Sequence, residues 1–110
     1  MAQPPVATVT FDPNTGKIKV EPEVIPVAKG TFILNWVRDP EKATWSFTDV
    51  IPESHKFCFN MKTINPQLMN LVDRNDDSSC EGKIKYTVKI VDEGGKEHSL
   101  DPDIENRPPG

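Results

Sequence analysis

The sequence predicts an all-β protein: one antiparallel, immunoglobulin-like β-sandwich of about seven strands. Three observations support this fold class. Apolar and polar residues alternate in several short segments, which is the period of a strand with one buried face. Turn-forming pairs such as Glu21-Pro22 and Gly94-Gly95 separate these segments. The chain also contains 11 prolines, and proline at this density interrupts helices, which excludes a helix bundle.

Seven segments have strand character. Residues 83–91 are the clearest case, because Ile84, Tyr86, Val88 and Ile90 lie on one face. The turn at residues 92–95 then returns the chain as the last strand. The predicted strands cover residues 7–11, 17–20, 31–37, 44–50, 56–61, 83–91 and 96–100. The predicted core contains Phe32, Leu34, Trp36, Tyr86, Val88 and Ile90.

Residues 65–72 are the one segment with helical spacing. Asn65 suits the N-cap, Pro66 suits the first helical position, and apolar residues recur at three- and four-residue intervals. We therefore expect two helical turns or an irregular loop here. A polar loop at residues 74–79 follows.

Length and charge limit the classes of function. The 110 residues fit a single domain, 1–110, and 13 basic against 17 acidic residues give a net charge of −4. This balance disfavours binding to nucleic acid or an anionic membrane. No apolar run reaches the ~18 residues of a membrane span, and the first residues lack the pattern of a secretory signal. We therefore expect a cytoplasmic protein whose two cysteines are reduced.

Two metal sites can be considered, and neither is favoured. His55, Cys58, Met61 and His98 are the residue types of a copper site, but their order along the chain is wrong for one. A buried thiol, a core methionine and two loop or surface histidines are the preferred interpretation. The acidic loop at residues 73–77 has the first calcium-ligand spacings but lacks the later glycine and glutamate. No metal or other cofactor is expected.

The Asp101-Pro102 bond is the most reactive feature of the sequence. An aspartate carboxylate can attack its own carbonyl carbon to form a five-membered anhydride, and the proline nitrogen is a good leaving group once it is protonated. Asp12-Pro13 and Asp39-Pro40 show the ordinary alternative, because Asp-Pro pairs also open turns.

The pairing register of the last hairpin follows from its apolar pattern. If Asp92 pairs with Lys96, the inner face of the returning segment carries His98, Leu100, Pro102 and Ile104. Its outer face then places Ser99, Asp101, Asp103 and Glu105 opposite Lys89, Thr87, Lys85 and Lys83, respectively. Asp101 lies diagonally within reach of Lys85, with Lys83 one pleat further. The simplest interpretation of this pattern is a ladder of surface ion pairs.

The block Leu100-Asp-Pro-Asp-Ile-Glu-Asn106, following residues 83–92, resembles the DP-EP family of small bacterial β-sandwich proteins. The resemblance extends over most of the chain, including residues 31–37 and the Glu21-Pro22 turn. It implies a self-cleaving, aspartic-type endopeptidase activity toward the chain's own Asp101-Pro102 bond. It also implies that a strand lysine, Lys83 or Lys85, meets the new carboxyl group.

The leading hypothesis is therefore single-turnover autoproteolysis that leaves residues 102–110 as a docked or released tail. Asp101 acts as the internal nucleophile or orients a water molecule, and candidate proton donors are His98, Asp103 and Glu105. A lysine, with Lys83 preferred to Lys85, stabilises charge or captures the acyl group as an isopeptide cross-link.

The alternative is a non-catalytic sandwich that binds a protein or peptide through an edge strand, its Asp-Pro pairs being turns. In the leading hypothesis the partner is the chain's own C-terminal segment. Self-assembly into a homo-oligomer is left open.

Overall fold

Ten β-strands and two short 3₁₀ turns build the described part of the chain, residues 5–109 of the computed structural model. The turns span Lys56–Cys58 and Ser78–Cys80. The strands, in chain order, are β1 (Val6–Asp12), β2 (Lys17–Glu21), β3 (Val24–Val27), β4 (Gly30–Arg38), β5 (Ser46–Pro52), β6 (Phe59–Asn65), β7 (Leu68–Asn75), β8 (Gly82–Val91), β9 (Glu97–Leu100) and β10 (Asp103–Asn106).

The strands form two sheets. The first has the order β2-β1-β4-β7-β6, and the second has the order β3-β10-β8-β5, with β9 also paired to β8. The predicted all-β sandwich is confirmed, but its sheets are mixed instead of purely antiparallel. β1 runs parallel to β4, and β10 runs parallel to β3. The described residues also contain ten strands rather than about seven, because β3, β7 and β10 were not among the predicted strands.

The core lies between the two sheets, where alternate residues of each strand point inward. Leu34, Trp36, Tyr86, Val88 and Ile90 are all buried, and Phe32 packs against them, so the predicted core is confirmed. Trp36 of the first sheet donates from Nε1 to the hydroxyl oxygen of Tyr86 in the second sheet, at 2.9 Å. This contact satisfies two buried polar groups and joins the sheets at their centre.

The predicted helix at residues 65–72 is wrong. These residues form the turn of the β6–β7 hairpin and the start of β7, its second strand, and Ile64 pairs with Met69 and Asn65 with Leu68. Met69 and Leu71 point into the core with the period of a strand. Pro66 lies in the turn, where its carbonyl oxygen accepts a hydrogen bond from the backbone N–H of Phe47 at 3.0 Å.

Two further predictions need correction at strand level. β3 was missed because Pro26 interrupts a four-residue strand, and proline is tolerated there because β3 lies at a sheet edge. The predicted strand at residues 56–61 begins instead as a 3₁₀ turn, so β6 starts only at Phe59.

The prediction of two reduced cysteines is also wrong. Cys58 and Cys80 form a disulfide with a Cα–Cα distance of 6.0 Å. Both residues are buried, and each ends the 3₁₀ turn that precedes the next strand of its sheet. Disulfides persist in oxidising compartments. The reduced state was expected as a consequence of a cytoplasmic location; the disulfide overturns the expectation of reduced cysteines, and the location stays a prediction.

A search of residues 5–109 for a helix of the length and apolar character needed to cross a membrane finds none.

Candidate active site at the Asp101-Pro102 bond

The Asp101-Pro102 bond lies at the junction between β9 and β10, which pair one after the other with the same edge of β8. Val88 pairs with Leu100 in β9, and Lys85 pairs with Asp103 in β10. The β8–β9 and β8–β10 pairings both follow the register predicted from the sequence, and this prediction is therefore confirmed. Thr87 and Tyr86 therefore lie beside the bond.

Two side chains of β8 donate hydrogen bonds to Asp101, one to its carboxylate and one to its carbonyl oxygen. The hydroxyl of Thr87 donates to Asp101 Oδ1 at 2.8 Å, and Lys85 Nζ donates to the carbonyl oxygen of Asp101 at 3.3 Å. Asp101 itself is exposed. The ammonium group thus contacts the oxygen on which negative charge develops when the Asp101 carbonyl carbon is attacked.

The other side of the bond is anchored in the sandwich. Pro102 is buried, and its carbonyl oxygen accepts a hydrogen bond from the backbone N–H of Tyr86 at 3.0 Å. The next N–H, that of Asp103, donates to the carbonyl oxygen of Glu23 at 3.2 Å. The leaving side of the bond is therefore held in place on both neighbouring strands, while Asp101 faces solvent.

Asp103 is the acidic residue that the structure brings to this site. Its Oδ1 lies 3.7 Å from Lys85 Nζ, and its side chain is 24% exposed. Lys85 therefore stands between the Asp101 carbonyl and the Asp103 carboxylate. Because Asp103 directly follows Pro102, it is the predicted proton donor nearest to the proline nitrogen along the chain.

His98 and Glu105 are not part of this cluster. His98 Nε2 lies 2.8 Å from Asp92 Oδ2, and its ring packs against Phe11 with the ring centroids 4.7 Å apart. The hydrogen bond from His98 holds the pKa of Asp92 below its usual range. Glu105 instead accepts a hydrogen bond from Arg107 Nε at 2.7 Å. Of the three predicted proton donors, Asp103 is thus the one whose carboxylate lies beside Lys85, and the role of proton donor stays a prediction.

The preference for Lys83 over Lys85 is corrected as well. Lys83 pairs with Glu105, two residues beyond the Asp103 that Lys85 faces. The register argument already placed Lys85 closer, and the contact with the Asp101 carbonyl agrees with it. Thr87 was placed opposite Asp101 by the same register, but its role as a hydrogen-bond donor was missed. A threonine across from an aspartate on an exposed face is the signal that could have indicated it.

The other two Asp-Pro bonds lie in turns. Asp12 Oδ1 accepts the N–H of Asn14, and the Asp12 carbonyl oxygen accepts the N–H of Gly16 at 2.8 Å. These are the ordinary hydrogen bonds of a turn, made by uncharged backbone donors. Asp39 donates its N–H to Val9 at the end of β4. Lys85 thus gives the carbonyl oxygen of Asp101 a charged donor. Within residues 5–109, no charged side chain donates a hydrogen bond to the carbonyl oxygen of Asp12 or of Asp39.

The residues of the considered copper site do not converge. Cys58 is in the disulfide, Met61 is 77% exposed and His98 is bonded to Asp92. In the acidic loop, Asp73 points into the core and Asp77 accepts the N–H of Ser79. Across residues 5–109, no group of three or more His, Cys, Asp or Glu side chains is arranged to hold a metal ion.

Two of the open clefts on the sandwich bear on the position of the Asp101-Pro102 bond. One, of about 400 Å³, lies between β2, the β2–β3 turn and Leu100, directly before the Asp101-Pro102 bond. A second, of about 600 Å³, lies over Phe11 and Trp45, where Lys42 and Lys96 form part of its wall. Asp101 does not line it, so the chemistry of the Asp-Pro bond is separate from this second cleft.

Comparison with known proteins adds no assignment, because no family model matches the chain and no curated protein matches it significantly.

Proposed function

We propose that the chain cuts its own Asp101-Pro102 bond in a single turnover. The observation that supports this proposal most directly is the contact of Lys85 Nζ with the carbonyl oxygen of Asp101, at 3.3 Å. A positive donor at this oxygen stabilises the tetrahedral intermediate of any attack on the carbonyl carbon. Thr87 adds to this arrangement by holding one oxygen of the attacking carboxylate.

The reaction begins with attack of the free Asp101 oxygen, Oδ2, on the Asp101 carbonyl carbon. A five-membered ring forms, and the carbonyl oxygen takes up negative charge beside Lys85. Collapse of this intermediate breaks the bond to the Pro102 nitrogen, which must receive a proton. The products of this step are a cyclic anhydride at Asp101 and a free prolyl amine. One water molecule then opens the anhydride to two carboxyl groups.

Asp103 is the proposed source of the proton for the leaving nitrogen. It follows Pro102 directly, and its carboxylate lies 3.7 Å from Lys85 Nζ. General acid catalysis requires an available proton, so cleavage should be faster at pH 5 than at pH 7. Mildly acid solution also favours protonation of the proline nitrogen itself.

The anhydride could react with an amine instead of water, giving a Lys85–Asp101 isopeptide bond and one free carboxyl group. This route requires the neutral amine, which apolar surroundings favour. The Lys85 side chain is 54% exposed and lies next to Asp103. Hydrolysis is therefore the proposed outcome, and a branched tryptic peptide that joins the segments containing Lys85 and Asp101 would identify the cross-link.

Intact mass measured over days at pH 5 and pH 7 tests the proposal. The parent should accumulate a fragment ending at Asp101 and a second fragment, residues 102–110, whose masses sum to that of the chain plus one water. Asp101→Asn should remain a single chain. Lys85→Met should cut at least about tenfold more slowly, because it removes the donor at the carbonyl oxygen and keeps the aliphatic stem.

Lys83→Met is the matched control, since Lys83 faces Glu105 instead of the bond. It should cut at the rate of the parent. A parent that stays intact, or that is cut at Asp12-Pro13 as fast as at Asp101-Pro102, contradicts self-cleavage and leaves the edge-strand interaction module as the function. Equal loss of rate in both lysine variants contradicts the role assigned to Lys85.

A further inference from the structure

β10, which lies C-terminal to the proposed cut, is an interior strand of the second sheet. It lies between β3, to which it is parallel, and β8, to which it is antiparallel. At its end, the N–H of Arg107 donates to the carbonyl oxygen of Val27 at 2.9 Å. The backbone of the tail is thus hydrogen-bonded on both sides, and its removal would leave a groove between two strands.

The side chains of the tail alternate between this groove and solvent. Pro102, Ile104 and Asn106 are all buried. Asp103 and Glu105 lie on the outer face. The inward side chains define the pattern Pro-x-Ile-x-Asn, whereas the outward side chains do not enter the groove.

Asn106 makes the most specific contacts of the tail. Its Nδ2 donates to Asp73 Oδ1 at 3.1 Å and to the carbonyl oxygen of Cys80 at 2.9 Å. Next to it, Asn75 Nδ2 donates to the carbonyl oxygen of Arg107 at 2.9 Å. An empty groove would leave Asp73 Oδ1 and the carbonyl oxygen of Cys80 without the Asn106 donor, which is costly. The body of the sandwich therefore favours an occupant with a carboxamide at this position.

We propose that the groove between β3 and β8 is an exchangeable peptide-binding site, and that its partner in trans is the 102–107 segment of a second copy of this chain. The inference rests on the proposed function, because cutting Asp101-Pro102 converts an intramolecular strand into a bound peptide. Binding by strand addition then uses backbone hydrogen bonds for affinity and the alternate side chains for specificity. A cut copy that has lost its tail takes the tail of another copy.

The test separates exchange from self-cleavage by supplying the cut with a protease. A full chain with a protease-recognition linker between Asp101 and Pro102 is folded intact and then nicked, so no self-cleavage is needed. A fluorescein-labelled peptide of residues 102–110 is added, and its anisotropy is followed. The nicked chain should take up the label, and the un-nicked linker chain should not, because its own tethered strand has a far higher effective concentration.

Competing unlabelled peptides test the specificity. Ile104→Ala should require at least about thirtyfold more peptide, and Asn106→Ala at least about tenfold more. Glu105→Gln is the matched control, because the Glu105 side chain bonds only within the tail, to Arg107. It should compete as well as the parent peptide.

Three results would overturn the proposal: a nicked chain that takes up no label over several days, one that unfolds when nicked, or equal competition by all peptides. Self-cleavage is read separately from the intact mass of the unmodified chain. Either proposal can therefore fail while the other stands.

Discussion

Asp73 is a fully buried carboxyl group at the inner face of β7. Burial raises the pKa of Asp73 to about 6; the hydrogen bond from Asn106 opposes this rise, and the charge of Asp76 adds to it. The second carboxyl oxygen, Oδ2, has no hydrogen-bond partner among the described residues. Asp73 therefore binds a proton more tightly in the folded chain than in the unfolded chain, where its pKa is near 3.8.

Asp73 should thus contribute stability below about pH 4 that is lost as the pH rises through about 6. Asp73→Asn is neutral and nearly isosteric, so we expect it to be more stable than the parent at pH 8, by about 1–2 kcal/mol. The difference should shrink toward pH 4. Urea unfolding at one-unit intervals from pH 4 to pH 8 measures it. The exposed Asp39→Asn is the control, and parallel curves for Asp73→Asn and the parent would contradict the assignment.

At the scale of single elements, β8 organises both the core and the candidate site. Its inner residues Ile84, Tyr86, Val88 and Ile90 are all 0% exposed, and its outer residues Lys85 and Thr87 contact Asp101. Because a strand alternates its two faces, the same element that anchors the core presents the site side chains at a defined register.

Val88→Ala should lower the free energy of unfolding by about 1–3 kcal/mol, because it removes two buried methyl groups and leaves a cavity. Val37, which is 37% exposed on β4, provides a matched control. Val37→Ala should cost less than about 1 kcal/mol. Chemical denaturation of both variants against the parent gives the comparison, and equal costs would contradict the placement of Val88 in the core.

The sequence allowed correct prediction of elements whose buried face is wholly apolar. β8 belongs to this class, and the register of its hairpin with β9 placed Asp101 near Lys85. β7 was misread because its inner face continues from Met69 and Leu71 to the polar Asp73 and Asn75. Hydrophobic alternation does not reveal buried polar residues, since their burial depends on distant partners such as Asn106. Which lysine contacts the carbonyl oxygen of Asp101 likewise depends on side-chain conformation, and the sequence alone does not specify that conformation.

At the scale of the whole molecule, the Cys58–Cys80 disulfide links the turn before β6 of the first sheet to the turn before β8 of the second. The two cysteines are 22 residues apart, and their pairing follows from how the sandwich folds the chain back on itself. No local pattern marks them as partners, and for that reason the sequence favoured free thiols.

Replacing both cysteines, as Cys58→Ala with Cys80→Ala, should lower the free energy of unfolding by about 3 kcal/mol. The chain-entropy argument for a loop of 22 residues gives this magnitude. Urea unfolding of the double variant and of the parent, without reductant, measures the difference. Adding a reductant should destabilise the parent and leave the double variant unchanged. A parent insensitive to reductant and a double variant of equal stability would show that the cross-link contributes nothing.

The position of β10 between β3 and β8 also means that synthesis and strand pairing must precede the proposed cleavage. A ribosome completes β3 long before residues 103–106 emerge from its exit tunnel. Until then β3 lacks the neighbour that it has in the described sheet, and the edge of β8 from Gly82 to Lys85 stays open. The hydrogen bond from Tyr86 to Pro102 and the contact of Lys85 with Asp103 form only when this pairing is complete. A nascent chain would therefore be protected from premature cleavage. The proposed cleavage of the Asp101-Pro102 bond would begin only after the chain has folded.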